Sequence, residues 1–153
     1  MRRLLDTNSW IALTVETHPH NKTIREWYDA APLTAGDLLF CHSTEMSYLR
    51  LLTQESVMKQ CGVVALTNEE AQEYLENVYR DVAVGYVDEP IGVRKLWFQL
   101  AKAPVASPNV WMDAYLAAIA ITVGAEMVTF DRGFIKFESH GLDLRLLELP
   151  KQP

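Results

Sequence analysis

Short runs rich in apolar residues alternate along the chain with longer segments whose apolar residues recur at helical spacing. The runs that predict strands are residues 2–5, 38–41, 82–87, 127–130 and 144–149. Strands that alternate with helices are typical of a parallel sheet covered on both faces. The pattern therefore predicts an α/β fold, namely a three-layer α/β/α sandwich around a central, mainly parallel sheet.

Capping residues and stop signals place the helices between these strands. Residues 6–9 are four good helix starters in a row, Thr67 and Glu70 have the spacing of a capping box, and Gly124 stops the last long helix. We expect helices with inward-facing stripes Ile24, Trp27, Tyr28; Met46, Leu49, Leu52; Ala71, Leu75, Val78; and Val93, Leu96, Trp97, Leu100. Ser107 and Pro108 predict the start of the apolar helix that Gly124 ends.

Length and composition indicate one globular domain over residues 1–149, followed by a tail at 150–153. The longest apolar stretch, residues 114–123, is shorter than the ~20 residues of a membrane span. Cys41 and Cys61 have no paired spacing, and we expect reduced thiols and a cytoplasmic protein. The net charge of −6 argues against a protein that coats nucleic acid, but does not exclude an enzyme that cleaves it.

Four acidic residues stand at strand ends or helix starts: Asp6, Glu45, Asp113 and Asp131. In a parallel sheet these positions share the carboxyl edge, where open α/β folds bind ligands. The helix after Asp113 and the strand before Asp131 each span roughly 15 Å, so both carboxylates return to the same height. Each acid alone is equally well explained as a cap or a turn residue. Their coincidence on one edge predicts a shared crevice.

Clustered carboxylates are costly unless a cation binds them, and oxygen ligands suit Mg²⁺ or Mn²⁺. One or two such ions can activate water and orient a phosphodiester. Asn8 and Thr129 flank two of the acids and are expected to orient them by hydrogen bonds. The sequence thus predicts metal-dependent phosphate chemistry.

Four segments together resemble the PIN-domain ribonucleases, most of all the VapC toxins of bacterial toxin–antitoxin pairs. They read LLDTNS at 4–9, STE at 43–45, DAYLAA at 113–118 and TFDRGF at 129–134, in family order over essentially the whole chain. The resemblance implies an α/β/α sandwich, Mg²⁺- or Mn²⁺-dependent RNA cleavage, a homodimer, and a small antitoxin encoded beside the toxin. By this resemblance Asp6, Glu45 and Asp113 match the three firmest acids, and Asp131 matches the more variable fourth. Many members carry a further acid two residues later, where this chain has Gly133.

Several cations are candidates for contact with RNA phosphates. They are Arg94, Lys95, Lys102, Arg132 and Lys136, of which Arg132 adjoins Asp131. Asp88 also follows a predicted strand, but Pro90 two residues later favours a turn. The four His residues show no zinc-ligand spacing, and the chain has no glycine-rich phosphate loop.

Two other functional classes compete with a ribonuclease. A phosphorylation-controlled receiver domain also gathers acids at the carboxyl edge, but it needs an adjacent acidic pair after the first strand, where this chain has Asp6 and Thr7. It also needs a Lys after a late strand, where this chain has Arg132. A catalytically silent binding module would keep the fold without needing the four acids.

Overall fold

A single parallel sheet organises the molecule, as seen in a computed structural model that describes residues 1–148. Its strands are β1 (Arg3–Leu5), β2 (Leu38–Cys41), β3 (Val84–Val87), β4 (Glu126–Thr129) and β5 (Leu144–Leu146). The strand order is β3-β2-β1-β4-β5, and every neighbouring pair is parallel. The predicted α/β sandwich is confirmed, with a sheet that is parallel throughout.

Successive side chains of the central strands pack alternately into two separate apolar cores, one on each face of the sheet. Leu5, Phe40 and Val128 point into one core, whereas Leu4 and Met127 point into the other. Strands buried on both faces must be apolar at nearly every position, which explains their short, continuous apolar runs. The β1 strand therefore lies at the centre of three layers.

The helices divide between these two cores. Packed on the first core are α1 (Thr7–Thr14), α2 (Asn21–Ala30), α3 (His42–Leu52), α4 (Glu55–Gln60) and α5 (Asn68–Val78). Packed on the second are α6 (Val93–Leu100), α7 (Val110–Val123) and a 3-10 helix (Arg132–His140). No helix of the described chain, residues 1–148, is long and apolar enough to cross a membrane.

The predicted helix signals act as expected at three places. Asp6 caps α1, Thr67 and Glu70 form a reciprocal capping box at α5, and Gly124 ends α7 with φ of 64°. Glycine adopts the left-handed backbone conformation at little cost, so α7 ends there and the chain turns directly into β4. These signals fix the lengths of the elements that reach the carboxyl edge of the sheet.

Some boundaries differ from the sequence expectations. The α4 helix was not predicted because Met58 is its one buried side chain, and the 3-10 helix was missed because Phe134 and Phe137 are spaced three apart. Met46 is 58% exposed and does not belong to the buried stripe of α3, whose inward face is instead formed by Thr44, Tyr48 and Leu52. The α7 helix begins at Val110, two residues beyond the predicted Pro108.

The β2 strand has its predicted bounds of 38–41, whereas the other four strands differ from their predicted bounds by one to three residues. Exposed Val82 precedes β3, which starts at Val84, and β4 covers Glu126–Thr129 rather than 127–130. The predicted last strand is observed as Leu144–Leu146. Leu149 and the expected tail at 150–153 lie outside the described residues. Both cysteines are free thiols and are buried.

Candidate active site

Two of the predicted acids follow neighbouring strands at the centre of the sheet. Asp6 comes directly after β1, and Asp131 follows β4 by two residues; the two strands pair with Leu5 opposite Val128. The Asp6 amide donates to the Val128 carbonyl at 3.4 Å, which extends the pairing to the edge. The sheet therefore brings these two residues to the same place.

Asp6 is buried, and each of its carboxylate oxygens accepts a hydrogen bond. Oδ1 accepts from the backbone amide of Ser9 at 2.7 Å, and Oδ2 accepts from the hydroxyl of Thr129 at 2.5 Å. Burial raises the pKa of Asp6, the charge of Asp131 raises it further, and the bonds from Thr129 and Ser9 offset part of the rise. A carboxylate offers about four lone-pair positions, so both oxygens keep room for another partner.

Thr129 links the two central acids. Its hydroxyl is buried, donates to Asp6 and accepts the backbone amide of Asp131 at 2.9 Å. Sequence position placed Thr129 next to Asp131, but its hydroxyl contacts the carboxylate of Asp6 across the strand pair. Asn8, the other residue expected to orient an acid, is exposed on α1.

Asp131 is exposed and caps the 3-10 helix that follows it. Its Oδ1 accepts from the backbone amide of Gly133 at 2.7 Å. A Cβ on Gly133 would lie 3.0 Å from that same oxygen. The carboxylate therefore packs directly onto the backbone of residue 133, in a space that any side chain there would crowd.

Asp113 lies in the first turn of α7 and has a different environment. Its carboxylate finds no hydrogen-bond partner among residues 1–148. Burial raises the pKa of Asp113, the charges of Asp131 and Asp6 raise it further, and Lys136 acts in the opposite direction. Asp6, Asp113 and Asp131 thus form a group of three carboxylates, hereafter the aspartate group, that interact through their charges.

The opposite edge of the sheet shows how this chain treats buried acids of purely structural use. Asp37 pairs with the N-terminal amine at 3.3 Å, and Glu126 pairs with Arg3 and Arg145 at 3.2 Å each. No cation of the described chain forms an ion pair with a member of the aspartate group. Unpaired carboxylates that repel one another are costly, and a cationic ligand at this edge stays a prediction.

Glu45 lies in the same α3 turn that the sequence predicted, but it makes its own contacts. Its Oε1 accepts from the hydroxyl of Tyr79 at 3.0 Å, and its charge adds to the rise that burial causes in the pKa of Tyr86. Burial is the largest cause of the raised pKa of Tyr79, followed by the charge of Glu45. No signal along the sequence identifies Tyr79, because the end of α5 and the start of α3 meet only in the folded chain.

The predicted cations occupy three different places. Arg132 forms an exposed ion pair with Glu148 at 3.6 Å, Arg94 lies over the Phe98 ring at 4.7 Å, and Lys95 is exposed on α6. Lys136 on the 3-10 helix is the cation whose charge reaches Asp113. Asp88 is exposed after β3 and lies near Tyr86 rather than the aspartate group.

The aspartate group fits a divalent cation by the chemistry of its donors. Its oxygens are hard ligands, and among the described residues neither the Asp113 carboxylate nor the buried Ser9 hydroxyl beside Asp6 has a hydrogen-bond partner. Within residues 1–148, no three His, Cys, Asp or Glu side chains stand close enough to enclose a metal ion as they are placed. A bound cation would offset the repulsion among the three carboxylates of the aspartate group. The role of these carboxylates as metal ligands stays a prediction.

Comparisons with known proteins agree with this geometry. A family model described as PIN domain matches residues 3–139. Ribonuclease VapC41 of Mycobacterium tuberculosis is 42% identical over 147 residues, which cover 94% of this chain and 97% of the relative.

Solved structures show the same fold at low identity. VapBC2 from Rickettsia felis, bound to a DNA fragment from its promoter, has a TM-score of 0.61 at 17% identity, covering 97% of this chain and 100% of that one. VapC20 of Mycobacterium tuberculosis, a sarcin–ricin loop cleaving toxin, has a TM-score of 0.60 at 16% identity, covering 92% and 95%.

Proposed function

This chain belongs to the PIN domain family, and we propose that it is a VapC-type toxin, an endoribonuclease that hydrolyses RNA phosphodiester bonds with a divalent metal ion. The observation that carries this proposal is the aspartate group at the ends of β1 and β4. Among the described residues its carboxylates form no ion pair, whereas Asp37 and Glu126 at the other edge are paired. The receiver-domain alternative is set aside by the family match.

Asp6, Asp113 and Asp131 would hold the metal, with Glu45 as a further acid at the same edge. Bound Mg²⁺ or Mn²⁺ supplies a water of lowered pKa and neutralises charge on the phosphodiester. Thr129 donates to Oδ2 of Asp6 and the Ser9 amide donates to the other oxygen, and these bonds offset part of the rise that burial causes in the pKa of Asp6. Both bonds favour the charged carboxylate, which is the form that binds a cation.

Cations near the aspartate group are suited to receive the phosphates of RNA. Lys136 already interacts with Asp113, and Arg132 adjoins Asp131 at the rim of the site. The ion pair of Arg132 with Glu148 is exposed, so solvent weakens it and a phosphate can compete for the guanidinium. We therefore assign both residues to substrate binding.

A small antitoxin protein is the proposed partner, and a homodimer is the proposed assembly. The support is the similarity to VapC relatives and to the VapBC2 complex, whose name includes a second component. Sedimentation of the purified chain, alone and with the product of the neighbouring gene, tests both statements. A monomer that gains no mass with that product would contradict them.

A cleavage assay tests the enzymatic part of the proposal. A circular RNA with paired and unpaired segments is incubated with the chain in EDTA, in Mg²⁺ and in Mn²⁺; a circle has no ends, so any product reports internal cleavage. We expect cleavage in Mg²⁺ or Mn²⁺, none in EDTA, and none with Asp113→Asn. Asp88→Asn is the matched control, since it removes the same charge from the same edge and should keep activity.

Intact RNA under all conditions, from a folded protein, would favour the silent binding module. Equal cleavage in EDTA and in Mg²⁺ would contradict the metal requirement. Loss of activity in Asp88→Asn as well as in Asp113→Asn would mean that cleavage depends on the total negative charge at the carboxyl edge of the sheet rather than on the aspartate group.

A further inference from the structure

The segment from residue 90 to residue 112 has the opposite charge to the rest of the chain. It contains Arg94, Lys95 and Lys102 and no Asp or Glu, while the whole chain carries a net charge of −6. The segment covers α6, the loop after it and the first turn of α7. A local basic surface on an acidic protein indicates a negatively charged partner.

Aromatic rings are exposed on this same surface. Trp111 is 50% exposed and Phe98 is 46% exposed, with their ring centroids 6.3 Å apart. Both pack edge-on against Trp97, whose indole N–H donates to the Trp111 carbonyl at 2.8 Å. Trp97 therefore holds α6 against α7 and leaves the other two rings available to a ligand.

A groove of about 550 Å³ lies between these rings. Among the residues that line it are Phe98, Lys102, Val105, Pro108 and Trp111, and no acid of residues 1–148 lines it. Arg94 adds a guanidinium over the Phe98 ring at 4.7 Å. Aromatic faces interleaved with cations are what proteins use to bind single-stranded nucleic acid, because every base has a face to stack and every nucleotide a phosphate.

The first turn of α7 carries both a residue that lines the groove and a member of the aspartate group. Trp111 and Asp113 both lie in the first turn of α7, so the rigid start of one helix carries an exposed ring and a candidate metal ligand. The amino end of a helix of this length also bears partial positive charge, which adds to the attraction for phosphate.

We propose that this groove binds unpaired nucleotides of the RNA next to the cleaved bond, with bases stacked on Trp111 and Phe98. Lys102 and Arg94 lie beside the bases to contact phosphates. This inference rests on the proposed ribonuclease function and names the substrate as RNA with a single-stranded segment at the cut. A second copy of the chain fits the groove less well, because a two-fold interface would bring the same basic segment against itself.

RNA binding without cleavage tests the proposal. A fluorescent single-stranded RNA of mixed sequence and its duplex are titrated with the chain in EDTA, and anisotropy gives the dissociation constants. We expect Trp111→Leu to weaken binding of the single strand about tenfold, the effect of losing one stacked base. Trp111→Phe keeps an aromatic face and should restore most of the affinity.

Charge variants separate phosphate contacts from stacking. Lys102→Gln should weaken binding of all sequences and lower the slope of log K against log salt by about 1. The matched control is Lys22→Gln, which removes the same charge from an exposed site on α2. Circular dichroism of each variant confirms that it is folded.

The outcomes distinguish this proposal from the proposed function. Unchanged affinity in Trp111→Leu overturns the groove, even if the wild type cleaves RNA. If Trp111→Leu binds RNA normally but sediments with a different mass from wild type, the groove proposal is also overturned, since this surface would then join two copies of the chain. If Trp111→Leu binds the single strand more weakly than wild type does, but the wild type never cleaves RNA, the groove is supported and the proposed ribonuclease function is contradicted.

Discussion

Replacing Thr129 by Val is the sharpest structural test of how the chain stabilises its central carboxylate. Valine keeps the shape of threonine but removes the hydroxyl that donates to Asp6 at 2.5 Å and accepts the Asp131 amide at 2.9 Å. Thr129 is completely buried, so no water can enter without rearrangement. The substitution therefore leaves a buried carboxylate one donor short.

The size of the effect follows from the kinds of bond that are lost. A hydrogen bond to a charged group contributes about 1.5–3 kcal/mol to stability. The backbone amide of Asp131 also loses its acceptor, but this loss costs less because Asp131 is exposed and solvent reaches the amide. We expect the free energy of unfolding to fall by about 2–3 kcal/mol at neutral pH. For a chain of this size, that lowers Tm by roughly 5–10 °C.

Chemical unfolding and calorimetry of the metal-free protein measure this loss. Thr122→Val is the matched control, since its hydroxyl donates only to the Ala118 carbonyl within α7 at 2.7 Å. That bond contributes little to helix stability, and the control should change the free energy of unfolding by less than about 0.5 kcal/mol. Equal losses in the two variants would refute the reasoning about Thr129 and Asp6.

Three further predictions concern neighbouring residues. Tyr79→Phe and Glu45→Gln should each destabilise the chain, and a double-mutant cycle should give a coupling of about 1 kcal/mol; additive effects would contradict the Tyr79–Glu45 hydrogen bond. Gly133→Ala should lower the free energy of unfolding by about 1 kcal/mol, because its Cβ displaces the capping Asp131 oxygen; an unchanged Tm would argue against that close approach. The pKa of Asp113 is raised above 3.8 in the folded chain, so its contribution to stability falls as pH rises through that window. In EDTA, Asp113→Asn should therefore gain stability relative to wild type as the pH rises from 4 to 7, whereas a constant difference would contradict the raised pKa, which burial causes first and the charges of Asp131 and Asp6 increase.

Much of the fold was predictable because its signals are local. Asp6, Thr67 and Gly124 act on the residues next to them, and such caps fix where α1, α5 and α7 start or stop. The parallel sheet followed from the alternation of strands and helices, and with it the proximity of Asp6 to Asp131.

The details of the site that could not be predicted depend on the directions in which side chains point, and the spacing of residues along the sequence does not determine these directions. Thr129 turns toward Asp6 rather than the neighbouring Asp131 side chain, and Tyr79 reaches Glu45 from another helix. The interaction of Lys136 with Asp113 depends on a 3-10 helix whose spacing of apolar residues did not reveal it. Of the four predicted acids, the three aspartates interact through their charges and Glu45 accepts a hydrogen bond from Tyr79, while their shared role in one site stays a prediction.

The aspartate group as a divalent-metal site is the central claim, and metal-dependent unfolding tests it without knowledge of the RNA that is cut. Tm is measured in EDTA, Mg²⁺ and Mn²⁺ for wild type, Asp113→Asn and Asp88→Asn. At a metal concentration of about 100 Kd, binding stabilises the folded chain by about 2.7 kcal/mol, or roughly 5–10 °C. We predict that shift for wild type and Asp88→Asn and its loss in Asp113→Asn, which should be at least as stable as wild type in EDTA. A wild-type Tm that is the same in EDTA and in both metals would contradict the claim and leave Asp6 and Asp131 as helix caps.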